Sequence, residues 1–231
     1  MTGTTPFETP AVEHRRLIRR ETILGAVFLG ISAVLMIAVL AGGTQQFDRR
    51  AWDLFQKLRS DSLDVLVLQI TGLGDFISLV VASIGLAVTL RYAMNVRVLG
   101  FLAACIVGGR VLHVLLRSIV DRPRPVAIDT LWAIDASSFP SGHAMMSMVV
   151  FPTFALLIAE QIPQARVRTG LVVSAFALAA VIGVSRLYLG VHYVTDVVAG
   201  WSAGLFWLSA CWEFRAQRLR RREPAGMKDE G

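Results

Sequence analysis

The sequence Ser185-Arg-Leu-Tyr-Leu-Gly-Val-His-Tyr-Val-Thr-Asp196 lies between two long apolar runs and carries charged and titratable side chains that are costly in such surroundings. His192 and Asp196 are four residues apart, so on a helix they would share a face and could hydrogen-bond. A carboxylate that holds an imidazole makes it a better nucleophile or base. Arg186 could bind an oxyanion through two parallel hydrogen bonds. This pattern favours a reaction centre; the alternative is a His–Asp pair at a membrane interface, with Arg186 on lipid phosphate.

The composition around this stretch is that of a membrane protein. Of 231 residues, 55% are hydrophobic and only 17% are charged, which is too apolar for an ordinary soluble domain. The net charge is +6, but the basic residues lie outside the apolar runs, so they indicate topology rather than nucleic-acid binding. Cys105 and Cys211 both fall inside apolar runs and are predicted to be small buried hydrophobes rather than a disulfide. No Cys/His spacing suggests a metal site.

Six apolar runs predict an all-α membrane protein, a bundle of six transmembrane helices. The predicted spans are residues 23–41, 72–90, 98–116, 143–159, 168–184 and 194–213. Between the first two spans, residues 47–58 mix aromatic, aliphatic and charged side chains. This mixture favours a helix lying in the membrane interface over a plain extramembrane loop. The chain is thereby divided into a basic cytosolic N-terminus (1–22), a membrane domain (23–213) and a basic cytosolic tail (214–231).

The placement of Lys and Arg predicts which ends of the spans face the cytoplasm. With the N-terminus inside, most basic residues lie in the inside segments, and both termini are cytosolic. Segments 117–142 and 185–193 then lie together on the outer side. We therefore expect an integral protein of a bacterial plasma membrane with its active site on the outer face.

Two further stretches belong to that outer side. In Arg117-Ser-Ile-Val-Asp-Arg-Pro-Arg124-Pro125, three arginines follow a span and the prolines stiffen the loop that carries them. Such a cluster suits a phosphate, although it also suits a basic rim against lipid headgroups. In Phe139-Pro-Ser-Gly-His143, Ser141 begins a helix and Gly142 allows the backbone to approach a ligand. The free N–H groups of that helix end would attract an anion beside His143.

Taken together, these motifs resemble the type 2 phosphatidic acid phosphatase (PAP2) superfamily. That family includes membrane lipid phosphate phosphatases, bacterial phosphatidylglycerophosphate and undecaprenyl-diphosphate phosphatases, and soluble vanadium haloperoxidases. Its motifs are a lysine followed after six residues by Arg-Pro, then Pro-Ser-Gly-His, then Ser-Arg with Gly, His and Asp downstream. They match segments 117–125, 140–143 and 185–196 here. One position departs, because Arg117 replaces the family lysine; it keeps the charge but binds as a planar fork.

The resemblance implies phosphoryl transfer without a metal or other cofactor. His192 would attack phosphorus and form a phosphohistidine, Asp196 would orient His192, and His143 would protonate the leaving oxygen and later activate water. The phosphoryl oxygens would be bound by a set of basic and backbone groups: Arg117, Arg124, Arg186, Ser141 and Gly142. Guanidinium groups would supply the charge that Mg²⁺ supplies in other phosphoryl-transfer enzymes.

The expected partners are therefore a lipid phosphate substrate and the membrane lipids, and the oligomeric state is open. Undecaprenyl diphosphate, phosphatidate and phosphatidylglycerophosphate are all candidates, with a preference for the prenyl diphosphate or a general lipid phosphatase. A lipid phosphotransferase using the same phosphohistidine is the first alternative. An anion or lipid transporter is less favoured because nearly all the charged groups of the motifs lie near one membrane face, whereas a transport path would need charged groups at midplane depth.

Two charged residues near the motifs have no single predicted role. Arg110 lies inside a predicted span, where a charge is a functional candidate by default. It could pair with Asp75, support the phosphate site or extend towards the membrane interface. Asp75 is expected to cap the helix that follows it, with a position facing the site as the alternative.

Overall fold

The described part of the chain is entirely helical, which confirms the predicted fold class. A computed structural model describes residues 10–93, 96–125 and 137–220. These segments form eight helices: α1 (Pro10–Leu40), α2 (Gln45–Lys57), α3 (Asp61–Gly72), α4 (Phe76–Ala93), α5 (Val96–Ile119), α6 (Gly142–Ala159), α7 (Ala165–Tyr188) and α8 (Val194–Arg220).

Five of these helices are long and apolar enough to cross a membrane by themselves: α1, α5, α6, α7 and α8. A sixth span is present when α3 and α4 are counted as one helix pair, bent by 51° at residues 73–75. The predicted boundary of the second span, residues 72–90, was therefore wrong at its start. The apolar run of α3 is too short for a span by itself, so the predicted span did not include it.

Helices α1 and α8 also extend further than the predicted spans. α1 begins at Pro10 rather than near residue 23, and α8 continues to Arg220 rather than ending near residue 213. Basic and acidic residues are good helix formers, so a helix need not end where its apolar run ends. Residues 1–9 and 221–231, parts of the predicted cytosolic N-terminus and tail, lie outside the described residues.

Helix α6 forms the centre of the bundle and packs against α4, α5, α7 and α8. Its contact with α8 is close because α8 presents two glycines. A Cβ on Gly200 would lie 2.7 Å from the carbonyl oxygen of Ser141, and one on Gly204 would lie 2.7 Å from that of Met145. Helix α8 thereby brings its N-terminal turn against the start of α6, since small residues four positions apart allow two helices to approach closely.

Helix α2 lies against the ends of α7 and α8, over the connection between them. The indole N–H of Trp52 donates to the carbonyl of Gly190 at 3.1 Å, and the hydroxyl of Tyr188 accepts from the backbone N–H of Ser60 at 2.9 Å. The opposite face exposes Phe47 and Leu54 beside charged residues. The helix between the first two spans is confirmed, and its location in a membrane interface stays a prediction.

The two cysteines agree with their predicted role as buried hydrophobes. Cys105 and Cys211 are both unoxidised and buried, and they pack with Val149 in one apolar cluster. The indole of Trp207 closes this cluster and donates to the carbonyl of Cys105 at 2.8 Å. They contribute to the contact of α5, α6 and α8.

Candidate active site

The three sequence motifs meet at one end of the bundle, around a cavity of about 220 Å³. The motifs come from the end of α5 and its following loop, the start of α6, and the α7–α8 connection. Six of the eight predicted site residues line the cavity: Arg117, Arg124, Gly142, His143, Arg186 and His192. Ser141 and Asp196 are fully buried beside it. The structure thus brings together, in one place, residues that are up to 79 positions apart in the sequence (117 to 196).

His192 lies in a turn, not on a helix, which corrects the reason given for its approach to Asp196. Helix α7 ends at Tyr188, Gly190 has a φ of +70°, and α8 begins only at Val194. A positive φ is readily adopted by glycine, so Gly190 lets the chain reverse and carry His192 to the cavity. Its ring is only 3% exposed.

Asp196 is held so that one carboxylate oxygen faces His192. It occupies the third position of α8, and its Oδ2 accepts from the backbone N–H of Tyr193 at 2.9 Å. This is the return hydrogen bond of a helix-capping box. The same Oδ2 lies 3.6 Å from Nδ1 of His192. That separation is longer than a hydrogen bond, and Nδ1 has no hydrogen-bond partner among the described residues.

The imidazole of His192 is neutral in the resting site. Burial, opposed by Asp196 but assisted by the cationic Arg186 and Arg124, lowers its pKa to about 4. Burial disfavours the charged form, and like charges nearby act in the same direction. A neutral imidazole with its proton on the nitrogen that faces Asp196 leaves Nε2 with a free lone pair towards the cavity.

The start of α6 is organised by its capping residue. The hydroxyl of Ser141 accepts from the N–H of Ala144 at 3.5 Å, and its backbone N–H donates to the carbonyl of Asp196 at 3.0 Å. Ser141 therefore ties the second motif to the third, and its part in phosphate binding stays a prediction. Gly142 lines the cavity and admits no larger residue, because a Cβ there would lie 2.9 Å from Nε2 of His113.

Arginine side chains from three segments supply the positive charge of the cavity. Nη1 of Arg186 donates to the hydroxyl of Thr71 on α3 at 2.7 Å, while its buried Nε has no partner among the described residues. Burial, and then the charge of Arg117, lower the pKa of Arg124. An anion bound between these guanidinium groups would relieve their mutual repulsion. It would also accept a hydrogen bond from the unpaired Nε–H of Arg186.

Arg110 and Asp75 also line the cavity, but they do not pair with each other. Nη1 of Arg110 lies 3.2 Å from Nδ1 of His113, and its guanidinium group lies 4.7 Å from the centre of the Phe76 ring. Because guanidinium only donates, Nδ1 of His113 accepts and its Nε2 donates to the carbonyl of Pro140 at 3.3 Å. Asp75 accepts from the N–H of Ile77 at 3.1 Å, which confirms its predicted capping role.

Arg122 belongs to the arginine cluster in sequence but does not line the cavity. Its Nη1 donates to Oδ1 of Asp196 at 2.7 Å, and its Nη2 donates to Oδ2 of Asp48 at 2.7 Å. Burial lowers the pKa of Arg122, but Asp196 and Asp48 outweigh that effect and raise it. Sequence reasoning missed Asp48, because a single acid in an exposed-looking amphipathic helix gives no sign of its partner.

Within residues 10–93, 96–125 and 137–220, no group of three or more His, Cys, Asp or Glu side chains is arranged to hold a metal ion. The charge that faces the cavity there is carried mainly by guanidinium groups.

Comparison with known proteins agrees with this arrangement. The sequence pattern of the PAP2 superfamily matches residues 98–220, more than half of the chain and all three motifs. The chain belongs to the PAP2 superfamily. It is 35% identical over 116 residues to phosphatidylglycerophosphatase B of Bacillus subtilis (strain 168), an alignment covering 49% of this chain and 57% of that relative.

Two solved structures show that the PAP2 fold extends over most of the chain. The crystal structure of a transmembrane PAP2 type phosphatidylglycerolphosphate phosphatase from Bacillus subtilis superposes with a TM-score of 0.79 at 24% identity, covering 86% of this chain and 98% of that one. That of Aquifex aeolicus LpxE superposes with a TM-score of 0.56 at 24% identity, covering 72% and 95%. The transmembrane character of the bundle is thereby supported.

Proposed function

We propose that this PAP2 protein is a membrane lipid phosphate phosphatase that works through a phosphohistidine on His192. The observation that carries the proposal is a buried His192 that faces a cavity also lined by His143 and several guanidinium groups. Phosphoryl transfer needs an in-line nucleophile, charge stabilisation around three oxygens and a proton for the leaving group. The proposal assigns each of these needs to a residue of the cavity.

In the first step, Nε2 of His192 attacks phosphorus and the bond from phosphorus to the lipid oxygen breaks. Protonated His143 gives its proton to that oxygen, so that the lipid leaves as an alcohol, or as a phosphate from a diphosphate. The anionic substrate favours the charged form of His143 because opposite charges stabilise each other. The phosphorylated imidazole of His192 is positive or shares its proton with Asp196, whose carboxylate stabilises it.

In the second step, water attacks the phosphohistidine. Neutral His143 takes a proton from the water, the bond from phosphorus to Nε2 breaks, and inorganic phosphate leaves. Arg117, Arg124 and Arg186 stabilise the charge on the phosphoryl oxygens in both steps, with the Nε of Arg186 as an available donor. The backbone N–H of Gly142, at the start of α6, can add a further hydrogen bond.

The name of the Bacillus relative supports a lipid phosphate as the substrate class, and phosphatidylglycerophosphate is one candidate. The cavity opens at one end of an apolar bundle, where a headgroup can enter from water and chains from the bilayer. The Lys/Arg distribution supports an outer-face site. Undecaprenyl diphosphate, phosphatidate and lysophosphatidate complete the panel of substrates to be tested.

The test is phosphate release by the purified full-length protein in detergent, with each lipid of that panel supplied separately. We expect release from at least one lipid, retention of activity in EDTA, and no release by the His192→Ala variant. Absence of release from every lipid, with a folded protein, would refute the proposal. Loss of lipid phosphate without free phosphate, in the presence of an alcohol, would identify the phosphotransferase alternative.

A further inference from the structure

We infer that Asp48 of α2 and Arg122 form a positioning device for the active site, in which Arg122 holds Asp196 in place and Asp48 holds Arg122. The inference rests on the proposed function, because it concerns how Asp196 supports His192. Asp48, Arg122, Thr195 and Asp196 are called the carboxylate bridge below. None of its first three members lies in the cavity, so they act through Asp196 rather than on substrate.

The carboxylate bridge joins three separate parts of the fold by short contacts. Asp48 accepts three hydrogen bonds. One comes from Nη2 of Arg122 at 2.7 Å, and two come from Thr195, from its hydroxyl at 2.7 Å and from its backbone N–H at 3.1 Å. Nη1 of Arg122 donates to Oδ1 of Asp196 at 2.7 Å and to the Thr195 hydroxyl at 2.8 Å. The Arg122 guanidinium also lies 4.2 Å from the centre of the Tyr193 ring. Asp48 and Asp196 are both 0% exposed.

These contacts fix Asp196 in the orientation that His192 needs. Arg122 holds Oδ1, and the N–H of Tyr193 holds Oδ2, so the carboxylate cannot rotate without breaking a hydrogen bond. The result is that Oδ2 stays directed at Nδ1 of His192. Because Asp196 lies in the first turn of α8, directly after the turn that carries His192, a shift of Arg122 would displace both partners.

The two carboxylates and the one guanidinium of the carboxylate bridge together carry one net negative charge, which can stabilise the reaction at His192. Two buried carboxylates share one guanidinium, so Asp48 balances Arg122 and Asp196 keeps its charge for the positive imidazole. Without Asp48, Arg122 would neutralise Asp196. Stability alone does not explain the arrangement, since buried ion pairs are often no more stabilising than apolar residues of the same size.

The other charged and titratable groups that face His192 come from five parts of the fold. They are Asp196 on α8, Arg186 on α7, Arg124 in the loop after α5, His143 on α6 and His113 on α5. Variants at positions 48 and 122 replace none of these residues. A change in the titration of His192 in such variants therefore reports on the carboxylate bridge.

The first experiment compares kcat and KM of Asp48→Asn, Arg122→Gln and the double variant with wild type, all as full-length protein. Asp53→Asn is the control, since it removes the same charge from an exposed position of the same helix. We expect Asp48→Asn to lower kcat roughly 10–100-fold, the range typical of residues that orient a functional group, with little change in KM. The double variant should be no worse than Arg122→Gln, because both changes interrupt one chain of contacts. Additive losses, or an unchanged kcat in Asp48→Asn, would overturn the inference.

The second experiment measures the acidic limb of the pH profile of kcat/KM. All variants are compared with the same substrate, so that the ionisation of the substrate affects each profile equally. Removing the positive charge of Arg122 should raise the pKa of His192 and move the limb to higher pH. Removing the negative charge of Asp48 should move it to lower pH. A purely structural role predicts no such opposite shifts. Acidic limbs at the same pH in wild type and in both variants would overturn the inference.

Folding is monitored for every variant by gel filtration and thermal unfolding. If Asp48→Asn does not fold, Arg122→Lys decides, because it keeps the charge and loses the two-armed contact. A folded Arg122→Lys with wild-type kcat would overturn the inference, and a lowered kcat at unchanged KM would support it. Inactive wild-type protein would instead count against the proposed function, so the two failures are distinguishable.

Discussion

At the scale of single residues, the proposed mechanism gives two histidines of the cavity different roles because their surroundings differ. His192 is buried in a turn beside a carboxylate, whereas His143 lines the cavity at the start of a helix. Both are imidazoles with the same ordinary pKa near 6.5. Their different roles in the proposed mechanism follow from where the fold places them.

If His143 is the general acid, the loss of rate on removing it should depend on the acidity of the leaving group. In His143→Ala, hydrolysis of a lipid alkyl phosphate should fall by roughly 10²–10⁴-fold, the usual contribution of general acid catalysis. An aryl phosphate with an acidic phenol should lose much less in the bond-breaking step, since its leaving oxygen needs no proton. Burst kinetics with both substrates measure this difference. Equal losses for the two would contradict the assignment of His143 as the acid.

The lowered pKa of His192 predicts the pH range of activity. With a pKa of about 4 in the folded protein, against about 6.5 for an ordinary histidine, the nucleophile stays neutral down to about pH 4. After correction for the titration of the substrate, kcat/KM should therefore fall only as the pH drops towards 4. A nucleophile limb at pH 6.5 would show that the imidazole is solvated. Between pH 6.5 and 4 the unfolded chain binds a proton that the native His192 does not, so the stability of the fold should decrease as the pH falls.

Most of the cavity could be predicted at this scale, because the three motifs carry its chemistry in fixed spacings. Arg117, Arg124 and Arg186 were found by their charge, and His143 and His192 by their neighbours. Arg122 was given no role of its own, because the sequence does not tell which way a side chain points from a proline-stiffened loop. Asp48 and Thr71 were missed because their significance lies in partners 74 and 115 positions away.

At the scale of elements, the break between α3 and α4 shapes one wall of the cavity. Gly74 lies in the break, and a Cβ on it would lie 2.4 Å from Cγ2 of the fully buried Ile182 and 3.2 Å from Cδ2 of His143. Asp75 and Phe76, directly after it, line the cavity. The bend therefore needs a residue without a side chain. The apolar pattern predicted a span here but not its bend, because no proline marks the break and the two helix segments differ in length.

The glycine of this break provides an element-scale prediction. Gly74→Ala should lower the free energy of unfolding by about 1–3 kcal/mol, the usual cost of overpacking, and should lower kcat because His143 must move. Gly72→Ala is the matched control: nothing lies within 4 Å of a Cβ at that position, and alanine favours the helix. Thermal unfolding in detergent and kcat of both variants measure the effect. A Gly74→Ala variant as stable and active as Gly72→Ala would contradict the account of the bend.

At the scale of the whole molecule, the cavity lies at one end of the helix bundle. In a transport path, charged groups would line the bundle to its midplane. Here the arginines of the cavity come mainly from helix ends and the adjacent loop. The six-span layout was predictable from apolar runs, whereas the length of α1 and α8 beyond the bilayer was not, since charged residues continue a helix without an apolar signal.

The proposed sidedness can be measured with single cysteines in a chain whose two buried cysteines have been replaced. Asp53→Cys, on exposed α2 beside the site, should react with a membrane-impermeant thiol reagent added outside intact cells. Gln164→Cys, in the connection between α6 and α7 at the opposite end, should react only after the membrane is opened. The opposite labelling pattern would place the active site on the cytoplasmic side.

The central claim is that the phosphoryl group passes through the ring of His192. Its most direct measurement is rapid acid-free quenching of the enzyme with a lipid carrying a radioactive phosphate, followed by peptide mapping of the labelled protein. The account predicts an acid-labile, alkali-stable label on His192, absent from folded His192→Ala and formed faster than phosphate is released. Turnover by folded His192→Ala, or a label on another residue of active wild-type enzyme, would contradict it.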